Sequence, residues 1–370
     1  MIPVFEPIIT DDDIKSVTDA LKKGQISGNY GDALVDLEKA CADYHGVKYA
    51  SSVNSGSSAL QLAVDALGIH EGDEVLVSTF TNIATCLAIT HAGATPVAVD
   101  SEPDTWNMDI NKIEDKITKK TKAIITVHIY GHPVDMDPLL KIVSKHNLYL
   151  IEDAAEAQGA EYKGKKVGCF GTVGCLSFYG NKTITTGEGG MVITNDKKVI
   201  DKVNLLKNLA FEIPRYLHWY AGYNYRMPNY VAAMAVSQMK RINTIVSLKR
   251  QIAAWYKKYL NNVEGVILPV EKTYAKNIYW MYGIVIDPAH FGRTREQVME
   301  KLNELGIDSR AFFIPMNTQP VFRKMGLFKG VSCPVAENLG INGLYLPSGY
   351  NLTEKNVEEV CSKLISLKRE

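Results

Sequence analysis

Short apolar runs alternate with segments of helical periodicity through the first two-thirds of the chain. Strand-like runs occupy residues 74–77, 96–100, 123–128 and 149–153, and helical patterns such as 138–146 separate them. This alternation predicts an α/β fold in which a mostly parallel sheet has helices on both faces. Ligands of such sheets bind beside the carboxyl ends of the strands, so we look for chemistry there.

The same part of the chain shows where two helices begin. Thr10 precedes three aspartates and an apolar series at helical spacing, and Gly24 follows that series, which predicts a capped helix. Gly56 precedes a second predicted helix. Its apolar face consists of residues at helical spacing, which are Leu60, Ala63, Val64 and Leu67.

The last third has a different pattern. A long helical stretch at residues 230–259 precedes strand-like runs at 280–286 and 310–313, a helix between those runs at 294–305, and a final helix from Thr353. This order predicts a smaller α+β domain at the C-terminus. We place the boundary at residue 250, so that residues 1–250 form the large domain and residues 251–370 the small one.

Composition narrows the class of protein. The 370 residues contain 41 basic and 41 acidic side chains, so the zero net charge argues against nucleic acid or an anionic membrane as a partner. The N-terminus lacks a basic segment followed by an apolar run, and no apolar stretch approaches the length of a membrane span. Six scattered cysteines without a CxxC pair favour a cytoplasmic protein with reduced thiols, and we expect no metal site.

Acidic residues follow the strand-like run at 149–153. Asp153 ends that run and Glu156 lies three residues further on, at the edge where ligands are expected. A carboxylate there could pair with the protonated ring nitrogen of a pyridine cofactor, which keeps the ring able to accept electrons. It could equally cap a helix, and this segment alone does not separate the two interpretations.

Lys182 stands between an apolar run and a turn rich in glycine and threonine. Burial or a nearby cation can lower the pKa of such a lysine, and the neutral amine can then attack a carbonyl group. A single lysine in a chain with 41 basic residues is more often a solvated surface residue, so only the neighbouring sequence can favour a catalytic role for Lys182.

Two further segments could bind an anion. Gly56 and Ser57 begin a predicted helix, and free N–H groups at a helix N-terminus attract phosphate, although serine is also an ordinary helix cap. Asn224 and Arg226 lie close together in a polar segment that could hold a phosphate or carboxylate, or could simply be a polar loop.

In their order along the chain, these segments resemble the DegT/DnrJ/EryC1/StrS sugar aminotransferases of the aspartate-aminotransferase superfamily. The resemblance extends from Pro3 to Ile365, and residues 177–190 (SFYGNKTITTGEGG) are its most specific part. Residues 127–133 (VHIYGHP), 151–155 (IEDAA) and 222–227 (GYNYRM) support it. It implies fold type I of the enzymes that use pyridoxal 5'-phosphate (PLP), with a large domain and a smaller α+β domain.

The resemblance also implies roles for individual residues. Lys182 would bond to PLP and later carry protons, and Asp153 would pair with the pyridine nitrogen. Gly56, Ser57 and Ser177 would bind the cofactor phosphate, and Asn224 would reach the phosphate in the neighbouring subunit of a homodimer, or of a tetramer, with shared active sites. Glu156 and Asn181 would be further cofactor contacts.

Two positions depart from the pattern of many relatives. Asn82 stands where they carry an aromatic residue that stacks on the cofactor, so Phe80 or a rearranged contact would have to replace that residue. Asn317 stands near the substrate where relatives often carry histidine. Arg226 and His218, with Arg215 beside them, are candidates for binding the nucleotide of the substrate, and solvated loop positions are an equal alternative.

The implied activity is transfer of an amino group from L-glutamate to a nucleotide-linked 4-keto-6-deoxy sugar. Within the family the resemblance is strongest to members that aminate C4 of GDP-4-keto-6-deoxy-D-mannose. The alternatives are another nucleotide-linked keto-sugar, or a PLP-binding regulatory protein without turnover. A sugar dehydratase of the same family would have histidine in place of Lys182, and a dinucleotide-binding dehydrogenase would need a GxGxxG turn, which this sequence lacks after its first strand.

Overall fold

The computed structural model describes residues 1–369, which form three β-sheets and the helices packed against them. In chain order the strands are β1 (Tyr49–Val53), β2 (Glu74–Ser78), β3 (Thr95–Val99), β4 (Thr121–Val127), β5 (Tyr149–Asp153), β6 (Glu161–Tyr162), β7 (Lys165–Lys166), β8 (Val173–Ser177), β9 (Gly190–Thr194), β10 (Val266–Ile267), β11 (Ala275–Lys276), β12 (Tyr282–Ile286), β13 (Arg310–Ala311) and β14 (Gly343–Leu346).

The helices alternate with these strands through the first half of the chain. They are α1 (Asp11–Lys22), α2 (Asp32–His45), α3 (Gly56–Ala66), α4 (Ile83–His91), α5 (Met136–His146), α6 (Lys197–Lys207), α7 (Asn229–Met239), α8 (Ile242–Leu260), α9 (Pro288–Phe291), α10 (Arg295–Glu304), α11 (Pro320–Lys324), α12 (Pro334–Asn342) and α13 (Glu354–Ser366). Short 3-10 turns occur at Ile110–Lys112, Glu114–Lys116, Ile129–Gly131 and Met316–Thr318. Of the described helices, none is long and apolar enough to cross a membrane.

The large sheet has seven strands in the order β1-β9-β8-β5-β4-β2-β3. Strands β3, β2, β4, β5 and β8 are parallel to one another, while β9 is antiparallel to both β8 and β1. The predicted mostly parallel α/β sheet is therefore confirmed. The carboxyl ends of β5 and β8 lie at the same edge, which places Asp153 and Ser177 together at the edge where α3 also begins.

The start of the first predicted helix is confirmed at the side-chain level. Thr10 and Asp13 form a capping box, in which each side chain bonds to the backbone of the other residue. Arg241 then pairs with the buried Asp13 at 2.6 Å. That ion pair fixes α1 against the turn between α7 and α8.

The C-terminal part of the chain forms a four-stranded antiparallel sheet in the order β10-β12-β14-β13, with helices. The helical stretch predicted at residues 230–259 is two helices, because Arg241, between them, has a non-helical backbone. The expected domain boundary at residue 250 falls inside α8 and not in a loop. The strands of the two larger sheets come from residues 49–194 and 266–346, on either side of residue 250. The division of the chain at residue 250 itself stays a prediction.

Candidate active site

A cavity of about 400 Å³ lies at the carboxyl edge of the large sheet. Its wall combines the first turn of α3, the ends of β5 and β8, the turn after β8, and side chains from the C-terminal part of the chain. The lining residues are Ser55, Gly56, Ser57, Leu60, Asn82, Ala84, Asp153, Ala155, Glu156, Ser177, Tyr179, Asn181, Lys182, Glu188, Trp280, Phe313 and Tyr345.

Lys182 lies nearly buried on the turn after β8. Its backbone N–H donates to the Tyr179 carbonyl at 2.9 Å, and its Nζ is 3.6 Å from the centroid of the Trp280 ring. Burial lowers the pKa of Lys182, while the negative charges of Glu156 and Asp153 oppose that change. A lysine with a lowered pKa is a better nucleophile and base near neutral pH.

Asp153 ends β5 and is held at both of its carboxylate oxygens. Thr85 donates its hydroxyl to Oδ2 at 2.8 Å, and the backbone N–H of Ala155 donates to Oδ1 at 3.2 Å. Burial raises the pKa of Asp153, and these two hydrogen bonds together with the charge of Lys182 act against the rise. The carboxylate is oriented into the cavity wall, where it can accept a hydrogen bond from a cationic ring N–H.

Glu156 is the second buried acid of the cavity. Its Oε2 accepts a hydrogen bond from the backbone N–H of Tyr130 at 2.9 Å, and Tyr130 has the unusual φ of 49°. Burial raises the pKa of Glu156 to about 7, and the nearby Lys182 opposes the rise. The negative charge of Glu156 in turn favours the ammonium form of Lys182, so the charges of the two side chains support each other.

The first turn of α3 provides an anion site. Ser55 caps the helix by accepting from the N–H of Ser58, and the following residues Gly56 and Ser57 line the cavity. A Cβ atom at Gly56 would lie 2.8 Å from the Cβ of Ser177, so glycine permits the helix end to approach β8. Free N–H groups and the positive end of the helix dipole favour phosphate here, beside the Ser177 hydroxyl.

Asn181 and Asn82 line the cavity in different ways. The Oδ1 atom of Asn181 is buried without a hydrogen-bond partner, so its side chain is available to a ligand, while its backbone carbonyl accepts from Trp280 Nε1 at 2.7 Å. Asn82 caps α4, because its side chain accepts from the N–H of Ala84 at 3.0 Å.

Two predicted site residues lie outside the cavity lining. The ring of Phe80 is fully buried against Tyr130, Phe312 and Phe313, and its role as a replacement for an aromatic residue at position 82 stays a prediction. The side chain of Asn317 accepts from Thr79 at 2.8 Å and donates to Glu337 at 2.7 Å. These buried bonds occupy its amide, and the expected substrate contact by Asn317 stays a prediction.

The predicted contacts on the segment before α7 also lie away from this cavity. His218, Asn224 and Arg226 are absent from its lining; the side chains of His218 and Asn224 are exposed, and Arg226 is half-buried. Arg226 donates to the Asn224 oxygen at 2.7 Å, and His218 Nδ1 lies 2.9 Å from the carbonyl of Leu209. Within one chain these residues do not meet Lys182.

The sequence patterns missed several residues of the site. Trp280, Phe313 and Tyr345 come from the C-terminal part of the chain, and no local motif connects them with Lys182. Thr85, in α4, donates a hydrogen bond to Asp153. The only feature of the sequence near Thr85 that could have indicated a polar contact is a second threonine four residues earlier, Thr81, whose hydroxyl lies 2.9 Å from that of Thr85.

The residues present fit PLP. The cavity has a helix N-terminus for the phosphate, a buried carboxylate for the ring nitrogen, an unpartnered amide oxygen at Asn181 and a lysine with a lowered pKa. Among residues 1–369 there is no group of three or more His, Cys, Asp or Glu side chains placed to hold a metal ion.

Comparison with known proteins agrees with this geometry. The sequence profile of the DegT/DnrJ/EryC1/StrS aminotransferase family matches residues 7–365. GDP-perosamine synthase of Escherichia coli O157:H7 is 43% identical over 366 residues, which cover 98% of this chain and 97% of that protein. DesV of Streptomyces venezuelae has a similar structure, with a TM-score of 0.90, 31% identity and coverage of 97% and 95% of the two chains.

A Streptococcus pneumoniae chain solved in its PLP form superposes with a TM-score of 0.93 at 26% identity, covering 99% of this chain and 98% of that one. The family profile and the 43% identical relative each span nearly the whole sequence. The chain therefore belongs to the DegT/DnrJ/EryC1/StrS aminotransferase family and uses PLP as its cofactor.

Proposed function

We propose that this aminotransferase moves the amino group of L-glutamate to a nucleotide-linked 4-keto-6-deoxy sugar, with GDP-4-keto-6-deoxy-D-mannose as the first candidate acceptor and GDP-perosamine as its product. The observation that carries the chemistry is the grouping of Lys182, Asp153 and Glu156 in one cavity. The 43% identity to a GDP-perosamine synthase supports this choice of sugar.

Lys182 is the proposed base. PLP, when bound, supplies an electron sink for negative charge at the α-carbon of the amino donor. The neutral amine of Lys182 accepts the proton from that carbon, which its lowered pKa favours. Within each half of the reaction the ammonium so formed would give its proton up again, so that the amine is neutral at the start of the next half and one residue would serve as base and acid in both.

The other residues hold the reacting parts in place. Asp153 would accept the ring N–H and keep the pyridine nitrogen protonated, while Gly56, Ser57 and Ser177 would bind the phosphate. Glu156, held by the Tyr130 N–H, lies next to Lys182 and stabilises its ammonium form. The unpartnered oxygen of Asn181 would accept a hydrogen bond from the cofactor or substrate.

A second copy of the chain would complete the site. The segment around Asn224 and Arg226 lies away from its own cavity, and it carries large exposed apolar side chains at Ile213, Tyr216 and Trp219. Such side chains are stabilised when an interface covers them. We therefore include in the proposal a homodimer in which Asn224 of one chain contacts the phosphate in its partner's cavity.

The proposal is tested by absorbance of the PLP-loaded protein, first with glutamate and then with the keto-sugar. The cofactor band is expected to bleach with glutamate and return with GDP-4-keto-6-deoxy-D-mannose. Lys182→Ala should lower kcat by at least about 1000-fold, because it removes the base. Lys207→Met is the matched control, since Lys207 is partly buried beside Glu38 and outside the cavity.

Each outcome separates one alternative. Bleaching without return points to a different keto-sugar. Bleaching that is never followed by sustained release of 2-oxoglutarate, with any keto-sugar tried, points to a regulatory protein. Near wild-type turnover by Lys182→Ala contradicts the assignment of the base.

A further inference from the structure

Trp280 contacts the amine of Lys182 in a way that no local sequence pattern indicates. The Lys182 Nζ lies 3.6 Å from the centroid of the Trp280 ring, well within the range of a cation–π interaction. Both side chains are buried and both line the cavity. Such an interaction is stronger when water is excluded, because water no longer competes for the ammonium.

The Trp280 ring is held from several directions. Its indole Nε1 donates to the Asn181 carbonyl at 2.7 Å, and its backbone N–H donates to the Tyr130 carbonyl at 2.9 Å. The Tyr130 ring stacks on it with centroids 6.1 Å apart and planes inclined by 30°. The Trp280 ring is therefore fixed against Asn181, the residue that precedes Lys182. Its position does not depend on where the Lys182 side chain lies.

Backbone features bring the Trp280 segment to this place. Tyr279 has a φ of 49°, and Gly131 has a φ of 98°. A Cβ atom at Gly131 would lie 3.0 Å from the Trp280 nitrogen and 2.7 Å from the Ile278 side chain, so the two segments can approach only at glycine. Left-handed backbone at a bulky residue costs free energy, and it persists where the surrounding structure requires it.

A buried lysine supports the same segment from the other side. Lys249 of α8 donates its Nζ to the carbonyls of Trp280 and Ser348, at 3.0 and 3.2 Å. Burial lowers the pKa of Lys249 to about 7. A neutral amine has two N–H donors, and the two carbonyls accept both, so Lys249 anchors Trp280 without requiring a counter-charge.

The reaction itself creates a need for such a contact. After Lys182 accepts a proton it is a cation in a buried cavity, where burial disfavours its charge. The titratable groups around it are Asp153 at the end of β5, Glu156 after it, Lys249 of α8, and Tyr179, Glu188 and Tyr345 in the cavity wall. With Asp153 paired to the cofactor ring, Glu156 and the Trp280 face remain to stabilise the ammonium.

We propose that Trp280 is a positioning residue whose ring face binds the ammonium of Lys182 whenever that amine is free and protonated. The inference rests on the role proposed above for Lys182. Its physical consequence is that Trp280 favours the protonated form of the lysine and holds it in one place between the uptake and the release of the proton.

The test uses the full-length protein after PLP has been removed, and measures by stopped-flow absorbance how fast PLP bonds to Lys182 from about pH 6 to about pH 10. Only the neutral amine bonds, so the midpoint of the rate profile follows the ionisation of Lys182. Trp280→Leu removes the ring face, and Trp280→Phe keeps a smaller one. Both lack the indole N–H, so comparing them separates the ring face from the hydrogen bond to Asn181.

The midpoint for Trp280→Leu is expected about one pH unit below wild type, which makes PLP bonding up to about ten-fold faster on the acid side. The midpoint for Trp280→Phe should lie between those of wild type and Trp280→Leu. The kcat of Trp280→Leu should be lower than that of Trp280→Phe. Equal midpoints in Leu and Phe, or a Leu midpoint equal to wild type, would overturn the proposal.

Lys182→Ala distinguishes the two levels of the argument. If that variant keeps turnover, the proposed role of Lys182 fails and the role of Trp280 falls with it. If Lys182→Ala is inactive while the Leu and Phe profiles coincide, the role of Lys182 stands and only the inference about Trp280 is wrong. Circular dichroism of each variant checks that it is folded.

Discussion

At the residue scale, the orientation of Asp153 depends on a short chain of hydroxyl groups. Thr85 donates to Asp153 Oδ2, so the hydroxyl of Thr81, 2.9 Å away, is left to donate to Thr85. All three side chains are buried. A hydrogen bond to a charged acceptor away from water contributes more than one between neutral groups, so this chain favours the ionised carboxylate that the cofactor requires.

Replacing Thr85 with valine tests this series of hydrogen bonds, since valine has nearly the same shape as threonine but lacks the hydroxyl. The pKa of Asp153, already raised by burial, should rise further in Thr85→Val. We expect PLP to bind about ten-fold more weakly, because a hydrogen bond to a charged group contributes about 1.5–3 kcal/mol. Equilibrium titration of PLP into the cofactor-free protein measures the effect.

Two other variants serve as controls for Thr85→Val. Thr85→Ser keeps the hydroxyl and should bind PLP nearly as well as wild type. Thr81→Val acts one bond further away and should have a smaller effect. Equal affinity in Thr85→Val and wild type would show that Asp153 is oriented without this bond.

At the scale of elements, the site depends on how closely α3 approaches the end of β8. The helix begins at Gly56, and a side chain there would overlap Ser177. The same close approach continues at Gly190 of β9, where a Cβ atom would lie 2.4 Å from the carbonyl oxygen of Ser55. Small residues at this junction let the helix N-terminus and the serine hydroxyl face one anion together.

Gly56→Ala should disturb that junction without unfolding the protein. The added methyl group would force α3 away from Ser177, and we expect PLP affinity to fall about ten-fold or more as the phosphate contacts separate. Gly180→Ala is the matched control, because a Cβ atom at Gly180, in the turn that carries Lys182, meets no atom within 4 Å. If both variants bind PLP alike, the phosphate does not lie at this junction.

Predictions at the element scale succeeded where the signal is local. The strand predicted at residues 149–153 is β5, and the helix predicted at 294–305 is α10, Arg295–Glu304. The strand predicted at 310–313 is shorter, because only Arg310–Ala311 pairs with β14, while Phe312 and Phe313 turn their rings into an aromatic cluster with Tyr130. Periodicity predicts an element, but its ends depend on the partners it meets.

At the scale of the whole molecule, the exposed segment before α7 is the feature that one chain leaves unexplained. Asn224 and Arg226 are polar, and the same stretch of chain before α7 carries the exposed apolar side chains of Ile213, Tyr216 and Trp219, a composition typical of an interface. If two chains pair symmetrically, each supplies its segment to the other's cavity.

Mixed dimers test whether the sites are shared. Lys182→Ala removes the base, and Asn224→Asp places a negative charge next to the cofactor phosphate, so each variant alone should be nearly inactive. Co-expressed in equal amounts, they should recover about a quarter of wild-type activity, because half of the dimers are mixed and each mixed dimer has one intact site. Activity that stays at the level of the single variants would show that each chain uses its own Asn224.

What the sequence by itself determined is local. The spacing of apolar residues predicted a mostly parallel sheet, and the position of Asp153 at a strand end and of Gly56 at a helix start placed both at one edge. Lys182 stood out because its neighbours along the chain resemble one family. These features follow from short-range backbone preferences and from the fact that parallel strands end together.

Only the tertiary structure decided which distant side chains complete the site and which do not. Trp280 meets Lys182 across 98 positions of sequence, and Thr85 meets Asp153 across 68. Phe80 and Asn317, each expected at the site, are held in buried contacts outside the cavity lining. Long-range packing assigns these partners, and because many side chains of similar polarity could fill each place, no local pattern specifies them.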